Sequence, residues 1–396
     1  MTIWQRFVIF FLGVFGKIED AHGHCGLCLR ADFGHPHAVY IKNGDFLTPN
    51  GHNGSIILRH AEKLLIACPG NKNHVVIRGA NGTTIKKAQV VEASCIGGKY
   101  FQLDDLRIPF KNITCNSLNT VTVRKTSQKC GEGKLYNLYK VGYEILDKLY
   151  SLYEACFDEA RLTTLFVRHT ILPQNQYVQQ DRGRTYFNEG GLFEAVSMND
   201  LYKLDNQKAR IDAILGENEH KKYYQNWQFL SRGHLAPRAD FTLLAELRAT
   251  YQYVNTAPQW IKNNAGPWAA LEDSLRRFVS KSSVRASVLT GTHGVLTLPD
   301  TNGIDQEIYL NTDQNNNGLV PVPLYFYKVV DTPGKPRVAY VTINSSFYNR
   351  TELESLRFCA DLCEYNEHWL VWKKKGPESF CCDYQQFKEV VGYLPD

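Results

Sequence analysis

The sequence predicts an α+β protein built on a largely antiparallel sheet, and three observations carry that expectation. The chain has 396 residues, more than one core usually organises, so two domains are the default. Its β-prone runs are separated by Gly/Asn turns and loops, not by regular crossover helices, which argues against a doubly wound parallel sheet. Its helical patterns are few.

Taken in order, residues 30 to 125 hold short β-prone runs at His37 to Ile41, Ser55 to Leu58, His74 to Ile77 and Thr120 to Val123. They predict a small β-rich N-terminal domain over residues 24–145, closed by the turn-rich stretch Thr126 to Lys134. In the second domain, 146–396, helical spacing falls at Val141 to Phe157, Asn199 to Leu215, Pro267 to Val279 and Thr351 to Cys363. Strands are expected at Thr164 to Thr170, Val284 to Thr290, Pro323 to Val330 and Arg337 to Asn344. The Asn/Gly-rich segment Asp300 to Gly318 reads as a surface loop.

The most informative stretch runs from Phe229 to Phe241, followed by Asn255-x-x-Pro258-Gln259 and then Asn264-Ala-Gly266-Pro-Trp268-Ala-Ala-Leu271-Glu272. Hydrolysis of a phosphodiester needs an activated water, charge neutralisation at the phosphoryl oxygens and help for the leaving alkoxide. A neutral imidazole suits proton abstraction near neutral pH, which makes His234 the candidate base. Gly233 leaves the backbone beside it bare for close approach. Arg232 and Arg238 flank it with guanidinium groups that match paired phosphate oxygens.

Mg²⁺ keeps several waters and often takes one or two protein groups, so Asn264 can serve as a lone amide ligand with Glu272 gripping the ion's waters. Asn264, Trp268, Glu272 and Arg276 are spaced by four on one helix side. Read singly, these residues are unremarkable: Asn264 as an N-cap, Glu272 and Arg276 as a surface ion pair, His234 as a loop residue. Their joint occurrence in order reverses that.

Those three segments together resemble the DNA/RNA non-specific endonuclease family of the ββα-metal superfamily. The flanking Arg184-x-x-Phe187-x-x-Gly190-Gly-x-Phe193 and Val322 to Lys328 are similar to segments of secreted insect double-stranded ribonucleases and salivary endonucleases. The resemblance covers roughly residues 150 to 396 and, more weakly, the N-terminal third. It implies a ββα-metal nuclease domain, with His234 as general base, Asn264 as the metal ligand, Glu272 as a carboxylate behind the ligand, and Arg232 and Arg276 on the phosphate. Many members carry Asp before Arg-Gly-His; here Ser231 stands there. A further phosphate-binding arginine implied upstream falls on Arg182, Arg184 or Arg210.

The compartment is read independently. Residues 1–23 have a basic start at Arg6, an apolar run Phe7 to Phe15 and small residues at Ala21 and Gly23, the pattern of a signal peptide too short to span a bilayer. Sequons occur at Asn53, Asn81, Asn112, Asn344 and Asn349, candidate glycosylation sites of a secreted chain. Eleven cysteines gather toward the two ends. They predict disulfides, with at least one thiol left over because the number is odd. Cys25-Gly-Leu-Cys28 lacks a second pair at zinc-finger spacing, so no zinc is assigned.

A net charge of +5 is modest for a nucleic-acid protein and confines the electrostatic footprint to Arg182, Arg184, Arg232, Arg238, Arg276 and Arg277. Lys373 to Lys375 reads as solvated surface. No dinucleotide or Walker loop is present, which removes nucleotide-cofactor chemistry. The reading is a secreted enzyme needing Mg²⁺ or Mn²⁺ that hydrolyses DNA and RNA, double-stranded RNA included, to 5′-phosphates. Its partner is nucleic acid without sequence preference, and no membrane is involved. The alternative is a secreted nucleic-acid-binding protein with residual or no activity.

Overall fold

The computed structural model describes residues 23–79, 84–180, 183, 185–194, 196–363, 369–372, 376 and 378–395. The signal segment, Asn81, Arg182, Arg184 and Lys373 to Lys375 lie outside the described residues.

The strands of the N-terminal sheets pair antiparallel. A six-stranded sheet runs in the order Leu106–Pro109, Tyr100–Leu103, Val90–Gly97, Lys63–Ala67, Val39–Lys42, Asp45–Phe46, beside smaller sheets formed by Ile113–Cys115, Val75–Arg78 and Thr84–Ala88, and by Cys25–Leu27 with Ile56–Leu58. Alternate residues Leu64, Ile66, Phe101 and Leu103 point into one core with Ile56, Ile77 and Phe110, the period of two that a pleated strand imposes. Cys25–Cys95 and Cys68–Cys115 staple it.

The remainder is organised by strands β1 (Thr122–Cys130), β2 (Tyr136–Ile145), β3 (Lys148–Asp158), β4 (Thr163–Ile171), β5 (Leu230–His234), β6 (Thr256–Trp260), β7 (Ala286–Val295), β8 (Pro323–Asp331), β9 (Val338–Ile343) and β10 (Ser379–Asp383). The helices that matter are α1 (Leu204–Leu215), α2 (Leu244–Ala249), α3 (Ala269–Ser282) and α4 (Tyr384–Val391). Eight strands form one antiparallel sheet in the order β1-β2-β3-β4-β7-β8-β9-β10, and β5 pairs separately with β6. The fold is therefore α+β with a mostly antiparallel sheet.

Both faces of the large sheet are covered, and β8 shows how. Phe326 and Val330 enter the cluster shared with Trp268, Leu271 and Leu275. Their neighbours Tyr325, Tyr327 and Val329 enter the cluster under Phe387 and Val391 of α4. The inner face thus carries the β5–β6 ribbon and α3, and the outer face carries the C-terminal helix. Adjacent Cys381 and Cys382 on β10 point to opposite faces, so each reaches its own partner, Cys363 and Cys359. Cys130–Cys156 ties β1 to β3 across β2.

Several expectations change. Val141 to Phe157 is not a helix: β2 and β3 form a hairpin there, turning at Leu146 and Asp147, whose φ angles are +49° and +62°. Its large buried residues satisfy a helical spacing by coincidence. The domain boundary set at 145/146 falls in that turn, so the large sheet continues across it back to Thr122, and the run at Thr120 to Val123 belongs to this sheet. Thr351 to Cys363 is not one helix: Arg350–Ser355 is helical and residues 356–362 are not. The expected loop Asp300 to Gly318 contributes two short ribbons, pairing Asp305–Glu307 with Thr297–Pro299 and Tyr309–Thr312 with Gly318–Pro321. Asn344 is wholly buried and its side chain bonds Trp260 N, Pro258 O and Pro323 O, which leaves no room for a glycan in the folded protein.

Five disulfides account for ten cysteines, and Cys28 is exposed and free. A thiol reagent applied to the native, unreduced protein should label one site per chain, and Cys28→Ser should label none. Two or more labelled sites would contradict this pairing.

Candidate active site

The ββα unit is built from β5, β6 and α3. The register pairs Ser231 with Gln259, Arg232 with Pro258, Gly233 with Ala257 and His234 with Thr256. Asn255 fixes the chain as it leaves β5, accepting from Ala236 N (2.8 Å) and donating to Ala236 O and Thr250 O (2.9 Å each). A π-helical turn, Asn264–Trp268, then leads into α3 with Gly266 and Pro267 inside it. Wide turns of this kind recur at functional sites.

Gly233 has a different use from the one expected. A Cβ there would lie 2.4 Å from Gln259 Oε1 and 2.8 Å from its Cβ. The bare backbone makes room for Gln259, which in turn donates to Asn263 Oδ1 (2.7 Å).

Ser231 and Asn264 are brought together. The Ser231 hydroxyl donates its single proton to Gln259 O (2.8 Å), so toward Asn264 Nδ2, at 3.0 Å, it can only accept. This assigns the amide: the NH₂ faces Ser231 and Oδ1 turns away, free to meet a cation. A neutral hydroxyl thus orients Asn264.

His234 is partly buried, with Phe187 and Tyr251 rings 5.2 and 5.1 Å away. Its Nε2 is buried without a hydrogen-bond partner among the described residues. Burial, reinforced by the charge of Arg238, pulls its pKa down to about 4, so the ring is neutral at pH 7 with a lone pair to offer.

Arg232 is held inside an aromatic frame. Its Nε donates to Tyr253 Oη (2.8 Å), and the guanidinium stands 4.6 Å from the Tyr202 ring centre and 5.4 Å from that of Phe187. Tyr253 Oη donates onward to Asn199 (2.8 Å).

Glu272 and Arg276 reach different partners. Glu272 Oε1 lies 3.8 Å from Lys328 Nζ. Burial pushes the Glu272 carboxyl up to about 7 and the Lys328 ammonium down, each opposed by the other's charge. Arg276 donates to Asp240 Oδ1 (2.9 Å) and contacts Asp273. Asp240 also accepts from His169 Nε2 (2.8 Å). Burial works against the Asp240 carboxylate, but His169, Arg276 and Lys328 outweigh it and hold its pKa below the usual carboxylate value.

Lys328, Thr290, His169 and Asp240 carried no role in the sequence reading. Val167, Thr290 and Lys328 are in register across β4, β7 and β8, and Lys328 Nζ donates to Thr290 Oγ1 (2.9 Å) and Leu235 O (3.3 Å). The available signal was a lysine alternating with apolar inner-face residues in an otherwise apolar strand. Arg210, an upstream phosphate candidate, instead donates from α1 to Tyr309 O (2.9 Å). A cavity of about 550 Å³ lined by Asp45, Phe46, His169, Asp240 and Glu246 lies between the N-terminal sheet and the large one, and none of His234, Asn264 or Glu272 lines it.

The family described as DNA/RNA non-specific endonuclease matches residues 136–386. A salivary endonuclease of Lutzomyia longipalpis is 28% identical over 362 residues, covering 88% of this chain and 78% of its own. Salivary protein Tsal2A of Glossina morsitans morsitans is 24% identical over 339 residues, covering 84% and 81%. A salivary endonuclease of Culex quinquefasciatus is 25% identical over 224 residues, covering 56% and 54%.

Lys328→Met should cost roughly 1–3 kcal/mol, because it leaves the Leu235 carbonyl and the Thr290 hydroxyl without their donor and Glu272 without its counter-charge, so that Glu272 takes up a proton near pH 7. Adding Glu272→Gln should recover part of that, measured by urea midpoint; strictly additive losses would show that the two groups are not coupled.

His234 gives a pH test. The unfolded chain takes its proton near pH 6.5 and the folded chain only near 4, so this group's contribution is intact above 6.5 and is lost as pH falls toward 4. His234→Gln should lose less stability over that window than the parent. Equal losses would remove the assignment of a depressed imidazole.

Proposed function

Because the chain belongs to the DNA/RNA non-specific endonuclease family, we propose that it is a secreted, Mg²⁺-dependent, sugar-non-specific nuclease that cuts DNA and RNA, double-stranded RNA included, to 5′-phosphate ends. Two observations carry this reading: the neutral His234 Nε2 has no hydrogen-bond partner among the described residues, and Ser231, on the same strand, orients the Asn264 amide so that its oxygen is left to accept. The salivary relatives and the five disulfides support an extracellular setting, and no helix among the described residues is long and apolar enough to cross a membrane.

The donor set fits a hard divalent ion: Asn264 Oδ1 would offer one neutral oxygen and the Glu272 carboxylate would grip the ion's waters, a habit suited to Mg²⁺. Such an ion supplies charge neutralisation at the phosphoryl and leaving oxygens. The protein's own part begins at His234 Nε2, which takes a proton from the attacking water. Lys328 fixes the carbonyl of Leu235, next to His234, and so sets where the imidazole stands. Arg232, stiffened by its aromatic frame, and Arg276, steadied by Asp240, hold positive charge for the phosphate. Because water is the nucleophile, a 2′-hydroxyl is not needed, and both sugars serve. We place the catalytic unit from about residue 122 onward, with the N-terminal sheets over 24 to about 121 as a separate unit.

His234→Ala should lower turnover by roughly 10²–10⁴-fold with affinity nearly unchanged. A wild-type rate in that variant would remove the base.

Asn264→Ala should raise the Mg²⁺ requirement, and EDTA should stop the parent. The products decide the nucleophile: 2′,3′-cyclic phosphates from RNA, or full activity in EDTA, would overturn this mechanism. Tight binding without cutting would favour a nucleic-acid-binding protein instead.

A further inference from the structure

The loop entering β5 carries a side chain whose placement no packing requires. Trp227 is 92% exposed, whereas Trp260 and Trp268 are wholly buried. It sits in a tight turn in which Gln228 N donates to Gln225 O (3.0 Å). The two residues between them, Asn226 and Trp227, have φ of +50° and +63°. Two consecutive positive φ angles inside such a bond are the pattern of a type I′ turn, which favours Asn first and Gly second.

Asn226 obeys that preference and Trp227 violates it. A bulky residue at positive φ is an outlier that persists only where its surroundings over-determine it, and such outliers concentrate at functional sites. Here the surroundings do hold it. Gln228 Nε2 donates to Ser346 Oγ (2.9 Å), its Oε1 accepts from Lys262 N (3.3 Å), and Phe229 O accepts from Ile261 N (3.0 Å). These bonds clamp the turn onto the segment that reaches Asn264 two residues later. The chain from Trp227 to Ser231, whose hydroxyl touches Asn264, is short enough to keep the root of the indole within about 14 Å of that serine. Lys262, exposed on the clamped segment, and Lys221, exposed before the turn, add positive charge nearby.

Resting on the reading that His234 and Asn264 form the cleaving centre, we propose that Trp227 is a stacking platform for an unpaired base of the substrate strand, a short distance from the scissile bond. An indole face accepts any base, which agrees with cutting that ignores sequence. Bases in a duplex are already stacked on one another, so the platform serves single strands and frayed ends.

The test uses the full chain. Trp227→Gly removes the ring and relieves the turn, and Trp227→Phe keeps a ring. With single-stranded oligothymidylate, Trp227→Gly should raise KM roughly 5- to 100-fold and leave kcat within about twofold, while KM for a duplex of equal length moves less than about threefold. Trp227→Phe should retain most of the single-strand affinity, and Trp227→Gly should melt at a higher temperature than the parent. In a His234→Ala background, oligothymidylate should shield from iodide an exposed indole emission that Trp227→Gly lacks.

An unchanged single-strand KM, an equal rise on the duplex, or absence of shielding would each overturn the stacking role. If the parent cuts, such results leave the nuclease reading standing. If the parent cuts nothing, that reading fails on its own, and the shielding measurement still decides whether Trp227 meets a base.

Discussion

A cation with almost no access to water locks the short ββα unit to the large sheet. Lys328 is 1% exposed, an environment that an ammonium tolerates only when its donors are met and a counter-charge is close. Thr290 meets it from the next strand, Leu235 O from the end of β5, and Glu272 from α3. One side chain therefore ties β5 and α3, two elements of the ββα unit, to the large sheet. On the same inner face, His169 and Asp240 do the same for Arg276. Glu272 faces Lys328 and Asp240 faces Arg276 there, so opposite charges in the cluster offset one another.

That offset gives Ser231 its meaning. It orients Asn264 through a dipole and adds no charge, so this end of the ribbon carries one negative group fewer than it would with Asp at this position. The structure still fixes the amide as firmly, because Gln259 O consumes the hydroxyl's only proton. Gln259 can lie there because Gly233 has no side chain, which makes the Arg-Gly-His and Pro-Gln segments one packing unit and not two separate motifs.

How much of this was legible depended on sequence distance. His234, Asn264, Glu272 and Arg276 fall within one stretch whose pairing is a single ribbon and helix, so residue chemistry and spacing made the first three candidates and the family resemblance added a role for Arg276. Ser231 was noticed only as a departure; its bond to Asn264 needed the β5–β6 register. Lys328 and His169 were hidden because their importance comes from which face of the sheet they occupy, and that face is set by strands far apart in the chain. The β2–β3 hairpin was misread as a helix since Val141, Tyr153 and Phe157 are buried for the same reason that helical apolar residues are, and local pattern does not separate the two. Asn344 looked like a surface acceptor and proved to be a hub for three backbone groups, an outcome only tertiary packing dictates.

The two margins of the eight-stranded sheet are treated differently. β10 is buried and roofed by α4, so its free side is hidden. β1 is exposed, carries Arg124, Lys125 and Lys129, and loses its regular pairing between Lys125 and Lys129. An open strand margin is a template on which another chain can add. Charge along β1 and the break in its ladder make that addition costly, and Cys130–Cys156 prevents the strand from peeling away to offer a longer one. A wide open sheet can thus remain dissolved at high local concentration without polymerising edge to edge.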